Sequence, residues 1–131
     1  HSVSLAAAEK TLEILDETNA LETIADYGTR LQAGMSEILR ARDIPHSFVG
    51  HPSMGGLFFH ENPPTTYRDW LDSDYTFYDT MAPELHELGV LCEPDSREPW
   101  FICEAHSNDD SLDDTLAAFA QAVDTTMNKL K

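Results

Sequence analysis

Positive charge is scarce in this sequence: eight Lys and Arg stand against 24 Asp and Glu, a formal net charge of −16. Such a surface repels phosphate backbones and anionic headgroups, which argues against nucleic acid and acidic membranes as partners. Cysteine is scarcer still. Cys92 and Cys103 are the only two and form no CxxC pair, so neither a zinc ribbon nor a dithiol redox motif is present. Two reduced, partly buried thiols on candidate strands are expected, with a disulfide between neighbouring rungs as the alternative. No apolar run reaches the roughly 18 residues of a membrane helix. The N-terminus lacks the basic-then-apolar layout of a secretory signal. The expected location is the cytoplasm.

The acidic residues are dispersed through helix-like segments, as at Glu9, Glu13, Asp16 and Glu17. That placement makes a solvated, solubilising face rather than a cation-binding tail, so no divalent-cation melting shift is expected. His46, His51 and His60 gather around one candidate strand pair, but their spacing matches no zinc signature. No metal site is expected.

With 131 residues, 41% of them hydrophobic, residues 1–131 make a single domain able to bury a core without disulfides or metal. Residues 4–17 place Leu5, Ala8, Leu12 and Leu15 on one helical face. A second helix runs from Ala20 to about Arg42, with Ile24, Tyr27, Leu31, Met35, Ile38 and Leu39 on one face and Gly28 and Gly34 as weak points. Pro45 marks its end. Residues 46–50 and 54–59 read as a hairpin turning at His51-Pro52-Ser53, in which Met54 and Phe58 are assigned to the core. A loop over residues 62–66 leads into an aromatic and acidic stretch, residues 67–72, read as an ordered crossing or a mobile flap. Residues 74–88 are helical, with Pro83 as a kink or a restart. The order predicts an α+β fold: a small, mainly antiparallel sheet with helices packed mainly on one face.

Residues 89–119 carry the most information. Gly89 ends a helix, and a strand pair is expected across residues 90–92 and 100–103. Ser107 with Asp110 gives the S-x-x-D pattern of a helix N-cap. The helix that follows sets Leu112, Leu116, Phe119, Val123 and Leu130 on a stripe facing the sheet. His106 is expected to fix the turn before it through an imidazole hydrogen bond. Between the strands, Pro94 and Pro99 bracket Arg97 and Glu98, a stiffened loop able to hold two charged side chains at the edge of a site. A plain Arg97–Glu98 surface pair is the alternative.

Taken in order, these pieces resemble a known family. They are the alanine-rich SLAAAEKTLEIL, GTRLQAGMSEIL, the strand GHPSMGGLFF, Asp74 ahead of an aromatic helix, Gly89-Val90, and Glu98, Phe101 and His106 in an E-x-x-F-x-x-x-x-H pattern. Their succession resembles the C-terminal small domain of class III, fold type I, pyridoxal-phosphate-dependent aminotransferases, closest to the glutamate-1-semialdehyde aminomutase branch. Three positions depart from that pattern: His1-Ser2 for Asn-Pro, Cys103 for Ser, and Pro94-Asp95-Ser96-Arg97 where the branch tends toward Pro-Ser-Gln followed by Phe or Tyr.

The resemblance implies a domain that closes the substrate pocket of an enzyme acting on a small amino acid. The implied partners are the large cofactor-binding domain of the same polypeptide and a second subunit in a homodimer. Arg97 and Glu98 are the implied substrate-binding residues, Arg97 toward a substrate carboxylate. Pyridoxal phosphate is the implied cofactor of the parent enzyme. The chemistry needs a lysine to bind the cofactor's aldehyde, an acid at the pyridine nitrogen and a backbone phosphate cup. The lysines here, Lys10, Lys129 and Lys131, lie on polar helix faces or at the terminus. No cofactor-binding, catalytic or metal residue is therefore assigned, and the chain alone is expected to be inert. It opens without methionine, at His1-Ser2-Val3, which reads as a cut through a longer polypeptide or a tag scar. A free-standing interaction domain that keeps the fold is the alternative.

Overall fold

A computed structural model of the chain describes residues 1–108 and 111–131. Among these residues the order is α1 (Ser2–Glu17), α2 (Ala20–Arg40), β1 (Ser47–Val49), β2 (Met54–Phe58), α3 (Tyr67–Leu71), α4 (Tyr75–Glu87), β3 (Trp100–Phe101), a short 3₁₀ helix (Glu104–Asn108) and α5 (Ser111–Lys129). The strands form one antiparallel sheet in the order β1-β2-β3. Ser47 pairs with Phe58 across the first ladder, and Gly55 with Trp100 across the second. The expected α+β architecture is the observed one.

The helix ends follow local chemistry. α2 stops before Arg42 because Asp43 takes the left-handed conformation (φ 56°) and the Ile44 N–H reaches back to the Leu39 carbonyl at 3.0 Å. Arg42, just past that end, grips both carboxylate oxygens of Asp124 at 2.6 and 2.9 Å and ties α2 to α5. Gly89 (φ 86°) ends α4 in the same way, with the Val90 N–H on the Leu85 carbonyl at 2.9 Å. Asp74 caps the start of α4, accepting from the Phe77 N–H at 3.0 Å. The helix runs unbroken through Pro83, so no restart occurs there.

The core lies where α2, α4 and α5 meet β2. Tyr27, Leu31, Met35 and Leu39 recur every fourth residue on α2 and face Met81 and Leu85 of α4, Phe119 and Val123 of α5, and Leu57 of β2. α5 packs mainly on α4 and α2, and it meets the sheet through Phe119, which lies edge-on to Trp100 with centroids 6.4 Å apart. Of its expected stripe, Leu112, Phe119 and Val123 are buried, while Leu130 lies beyond the helix end and is exposed.

Three sequence expectations are corrected. Residues 90–92 form no strand: the Val90 N–H closes on the Leu85 carbonyl of α4 at 2.9 Å, and His86 Nε2 of α4 lies 2.7 Å from the Cys92 oxygen. The cysteines are therefore not on neighbouring rungs. Both are free, Cys92 half-buried with its thiol pushed up to about 11 by burial, Cys103 exposed. The Ser107 hydroxyl donates to the Glu104 carbonyl at 2.7 Å, and the described part of α5 begins at Ser111. The expected partner of Ser107, Asp110, lies outside the described residues. Lastly, the apolar face of α1 is largely uncovered, with only Leu15 half-buried. No residue of α1 is buried, and Leu5 and Leu12 are 70% and 67% exposed.

One buried group lowers the stability of this core. Thr126 of α5 is fully buried, and its hydroxyl has no hydrogen-bond partner among the described residues. Thr126→Val removes that cost while keeping the shape, so a gain of about 1 kcal/mol is expected, read as a higher urea midpoint at constant slope. A lower midpoint would mean that the hydroxyl is bonded in solution.

Candidate functional site

Three elements build the setting of Arg97. The first is α3, which makes the ordered crossing of residues 67–72. The Asp69 carboxylate accepts from the Thr65 N–H and hydroxyl at 3.0 and 2.7 Å and from the Thr66 N–H at 2.9 Å. The Asp69 N–H donates to the Thr66 hydroxyl at 3.3 Å, closing a capping box. These bonds, led by the Thr65 hydroxyl, hold the Asp69 carboxyl below its usual range. Fixed in this way, α3 sets the Trp70 ring between Tyr67 and Tyr75, with centroids 5.2 and 5.0 Å away.

The second element is the loop itself. The Ser96 side chain is 2% exposed and accepts from Trp70 Nε1 at 2.9 Å, which pins the loop to α3. That bond brings the Arg97 guanidinium over the face of Trp70, 5.2 Å from its centroid. Asp95 fixes its rotation: Arg97 Nε donates to the Asp95 carboxylate at 2.8 Å, Nη2 donates to the second oxygen, and the Arg97 N–H adds a third bond at 2.9 Å. The Arg97 side chain holds the Asp95 carboxyl down at about 2, while Asp95 raises Arg97 further above its already high value. The pair is thus fully formed at neutral pH and is lost only as pH falls through the acid range toward 2. Asp79 of α4 lies close by and is pushed upward, first by burial and then by the charge of Asp95.

Two clefts share Trp70 and Arg97 as walls. One, of about 270 Å³, is completed by Phe58, Pro64, Thr65, Thr66 and Tyr67, so Arg97 is its single charged wall. The other, of about 310 Å³, is completed by Tyr75, Asp79, Pro94 and Asp95. The third element, α4, anchors the base of the loop: Trp100 Nε1 donates to the Tyr78 hydroxyl at 2.8 Å. On the far side of Trp100, a larger cleft of about 380 Å³ runs between Tyr27, Val90, Leu91, Phe101 and His106.

The structure places Arg97 in a built setting and leaves Glu98 on an exposed turn. The two do not pair with each other, since Asp95 takes Arg97. Glu98 lines none of these clefts, and its backbone N–H closes the turn on the Asp95 carbonyl at 3.0 Å. Met54 is corrected from core to surface at 52% exposed, and Phe58 from core to half-buried cleft wall. The alternation expected of β2 fails because Gly55 and Gly56 have no side chains to distribute between its faces, and the buried run is Gly55, Gly56, Leu57. His106 does fix its turn, with Nδ1 accepting from the Cys103 N–H at 3.0 Å.

His46, His51 and His60 each make a local bond, to Ser36, Ser53 and Asn62 respectively. No group of three His, Cys, Asp or Glu among the described residues is arranged to hold a metal. The lysines pair outward, Lys10 with Glu13, Lys129 with Glu84 and Lys131 with Asn128. None lines a cleft described above, so these residues do not fit a covalent cofactor site.

Sequence reading missed Trp70 as the platform, Asp95 as the clamp and Tyr78 as the anchor. The Asp-x-Arg spacing of Asp95 and Arg97 is the one local signal that pointed to the clamp; the other two depend on contacts between distant segments.

Comparison with known proteins gives a consistent pattern. The chain is 31% identical over 122 residues to glutamate-1-semialdehyde 2,1-aminomutase of Thermus thermophilus, a match that covers 92% of this chain and 28% of that protein. It is similar to the solved FumI protein of Sphingopyxis sp. MTA144, in its PLP internal aldimine form, with a TM-score of 0.80 at 26% identity, over 98% of this chain and 28% of that one. An omega-transaminase from Sphaerobacter thermophilus shares the fold, with a TM-score of 0.70 at 22% identity, over 81% of this chain and 24% of that one. No family model matches. The chain therefore spans about 28% of the length of the curated relative described above.

Proposed function

Because the chain is a fold type I pyridoxal-phosphate aminotransferase-like domain, we propose that it is the C-terminal domain that closes the substrate pocket of a longer aminotransferase or aminomutase acting on a small amino acid. On this reading the parent enzyme is a cytoplasmic class III homodimer, and pyridoxal phosphate is held by its large domain. The bound cofactor supplies the electron sink for chemistry at the amino carbon. The residues described here bind and orient. The apolar face of α1, largely uncovered at Leu5 and Leu12, supports contact with that larger domain.

The observation that carries the reading is the state of Arg97. Asp95 occupies its Nε and Nη2 edge and Trp70 supports its face. The Nη1 group makes no bond to Asp95, and although Tyr67 also hydrogen-bonds the guanidinium, the five N–H donors of an arginine exceed what these two partners use, which supports binding of a planar anion there. A substrate carboxylate there meets a guanidinium whose orientation is already set, so little side-chain entropy is lost on binding. Glu98, one residue along and exposed outside the clefts, is proposed to orient the substrate or gate the site.

The test compares L-alanine with ethylamine, the same amine without its carboxylate, in the intact polypeptide. Arg97→Gln is expected to raise KM for L-alanine about tenfold and to leave ethylamine unchanged. An equal effect on both amines would overturn the role of Arg97. Absence of any lysine-dependent cofactor absorbance in the intact polypeptide would overturn the enzyme reading itself.

A further inference from the structure

The loop that holds Arg97 starts at Glu93, beyond the end of α4, and enters β3 at Trp100, and both ends meet on one hydroxyl. The Tyr78 O–H donates to the Glu93 carbonyl at 2.9 Å, and the same oxygen accepts from Trp100 Nε1 at 2.8 Å. A phenol uses its donor and an acceptor lone pair here at once, which closes residues 93–100 into a ring through a side chain. Tyr78 is 1% exposed, so water does not readily stand in for it. Its ring is held by the neighbouring core and lies 6.4 Å from that of Phe59.

Just inside this clasp stand Pro94 and Pro99, whose fixed φ stiffens both sides of the loop. At the tip, the buried Ser96 is bound to Trp70. Arg97 itself is bonded only to groups that move with the loop or with α3: Asp95 belongs to the loop, and Trp70 and Tyr67 belong to α3. Trp70 also stacks on Tyr75 of α4, and His86 Nε2 lies 2.7 Å from the Cys92 oxygen, but among these described contacts the Tyr78 hydroxyl is the one that binds both ends of the loop to each other and to the buried face of α4.

We propose that Tyr78 is a positioning residue for substrate, clasping the base of the Arg97 loop and acting on carboxylate recognition through Arg97. This rests on the reading of Arg97 given above. Without the hydroxyl, the half-buried Trp100 N–H loses its partner and the two ends of the loop are no longer joined. The guanidinium then samples a range of positions, and displacement of a binding group by about 1 Å is enough to weaken a well-oriented contact severely.

The variant is Tyr78→Phe, which keeps the buried ring, in the intact polypeptide with L-alanine and ethylamine as probes. Three results are expected: KM for L-alanine rises about fivefold, kcat stays within about twofold, and the absorbance of bound cofactor is unchanged. In an Arg97→Gln background the same substitution adds less than about twofold, because the group it positions is gone. Amide exchange quickens over residues 94–99 and not in α5.

An equal KM increase in both backgrounds would mean that Tyr78 acts through the fold at large, and the proposal falls. It falls also if L-alanine KM does not move while Arg97→Gln raises it, and in that case the substrate reading stands. If Arg97→Gln leaves L-alanine KM unchanged, the substrate reading fails first and the clasp role goes with it. Should Tyr78→Phe not fold, Trp100→Phe removes the same bond from the loop side and is expected to give the same pattern.

Discussion

Phe119→Ala is expected to destabilise the domain by about 3–5 kcal/mol, the range for emptying a large aromatic site in a close-packed core. Phe119 is 0% exposed and sits where α5 meets α4, α2 and the edge of Trp100. Three helices and a strand must all shift to refill that space, so the cavity stays largely open and its cost adds to the lost transfer energy. Domains of this size have only about 5–15 kcal/mol to lose. The measurement is urea unfolding of the 131-residue chain followed by circular dichroism, with Leu130→Ala as the control. Leu130 shares the sequence stripe of Phe119 but is 46% exposed, and its truncation is expected to cost under about 0.5 kcal/mol. Similar losses for the two would show that α5 is not seated as described.

Gly28→Ala is the second large effect, and its sign is decided by two opposing terms. Alanine in mid-helix gains about 1 kcal/mol over glycine. A Cβ on Gly28, however, would stand 2.2 Å from the Pro52 carbonyl oxygen and 2.6 Å from its carbon. Those are backbone atoms of the β1–β2 turn, and the turn cannot retreat freely. The His51 carbonyl accepts from Met54 at 2.8 Å and the Ser53 carbonyl accepts from Ile102 at 2.9 Å, so moving Pro52 strains both ladders. Overpacking of this kind costs about 3 kcal/mol or more, and a net loss of about 2 kcal/mol is expected.

Gly34→Ala makes the informative contrast. Its Cβ meets the Leu116 methyls at 2.5 and 2.7 Å, the far end of a half-buried side chain that can rotate away. Its change is expected to stay within about 0.5 kcal/mol of zero. The two variants unfolded side by side in urea test this, and a Gly34→Ala loss exceeding that of Gly28→Ala would refute the account.

The same pair of glycines separates what was legible in the sequence from what was not. Both read as weak points of a helix, which is all that local propensity can say. That one of them admits the backbone of a turn and the other a leucine is a fact about segments some 24 and 82 residues apart, and no periodicity encodes it. The candidate site divides in the same manner. Arg97 stood out because two prolines and a neighbouring Glu98 mark the loop locally, and Asp95 lies two residues away. Trp70 and Tyr78 did not, because each acts across more than twenty residues of chain: Trp70 on Ser96, and Tyr78 on Trp100.

Local patterns also misread some positions. β2 alternates only where there are side chains to alternate, and its two glycines broke the pattern that placed Met54 in the core. Residues 90–92 have strand composition, but α4 engages both ends of the segment, the Val90 N–H through the Leu85 carbonyl and the Cys92 carbonyl through His86. α1 has a proper amphipathic stripe, and among the described residues most of it stays uncovered.

By itself the sequence determined the helices, the hairpin, the left-handed stop at Gly89, the acidic surface and the succession of motifs that resembles an aminotransferase domain. Those properties rest on neighbours within a turn or two of helix, where the chain's own stereochemistry and hydrophobic period suffice. Tertiary structure alone decided that Arg97 pairs with Asp95 over Trp70 and that one hydroxyl on α4 closes its loop. Close packing decided it, because packing brings distant groups within bonding distance and leaves each buried donor and acceptor with few partners to choose from.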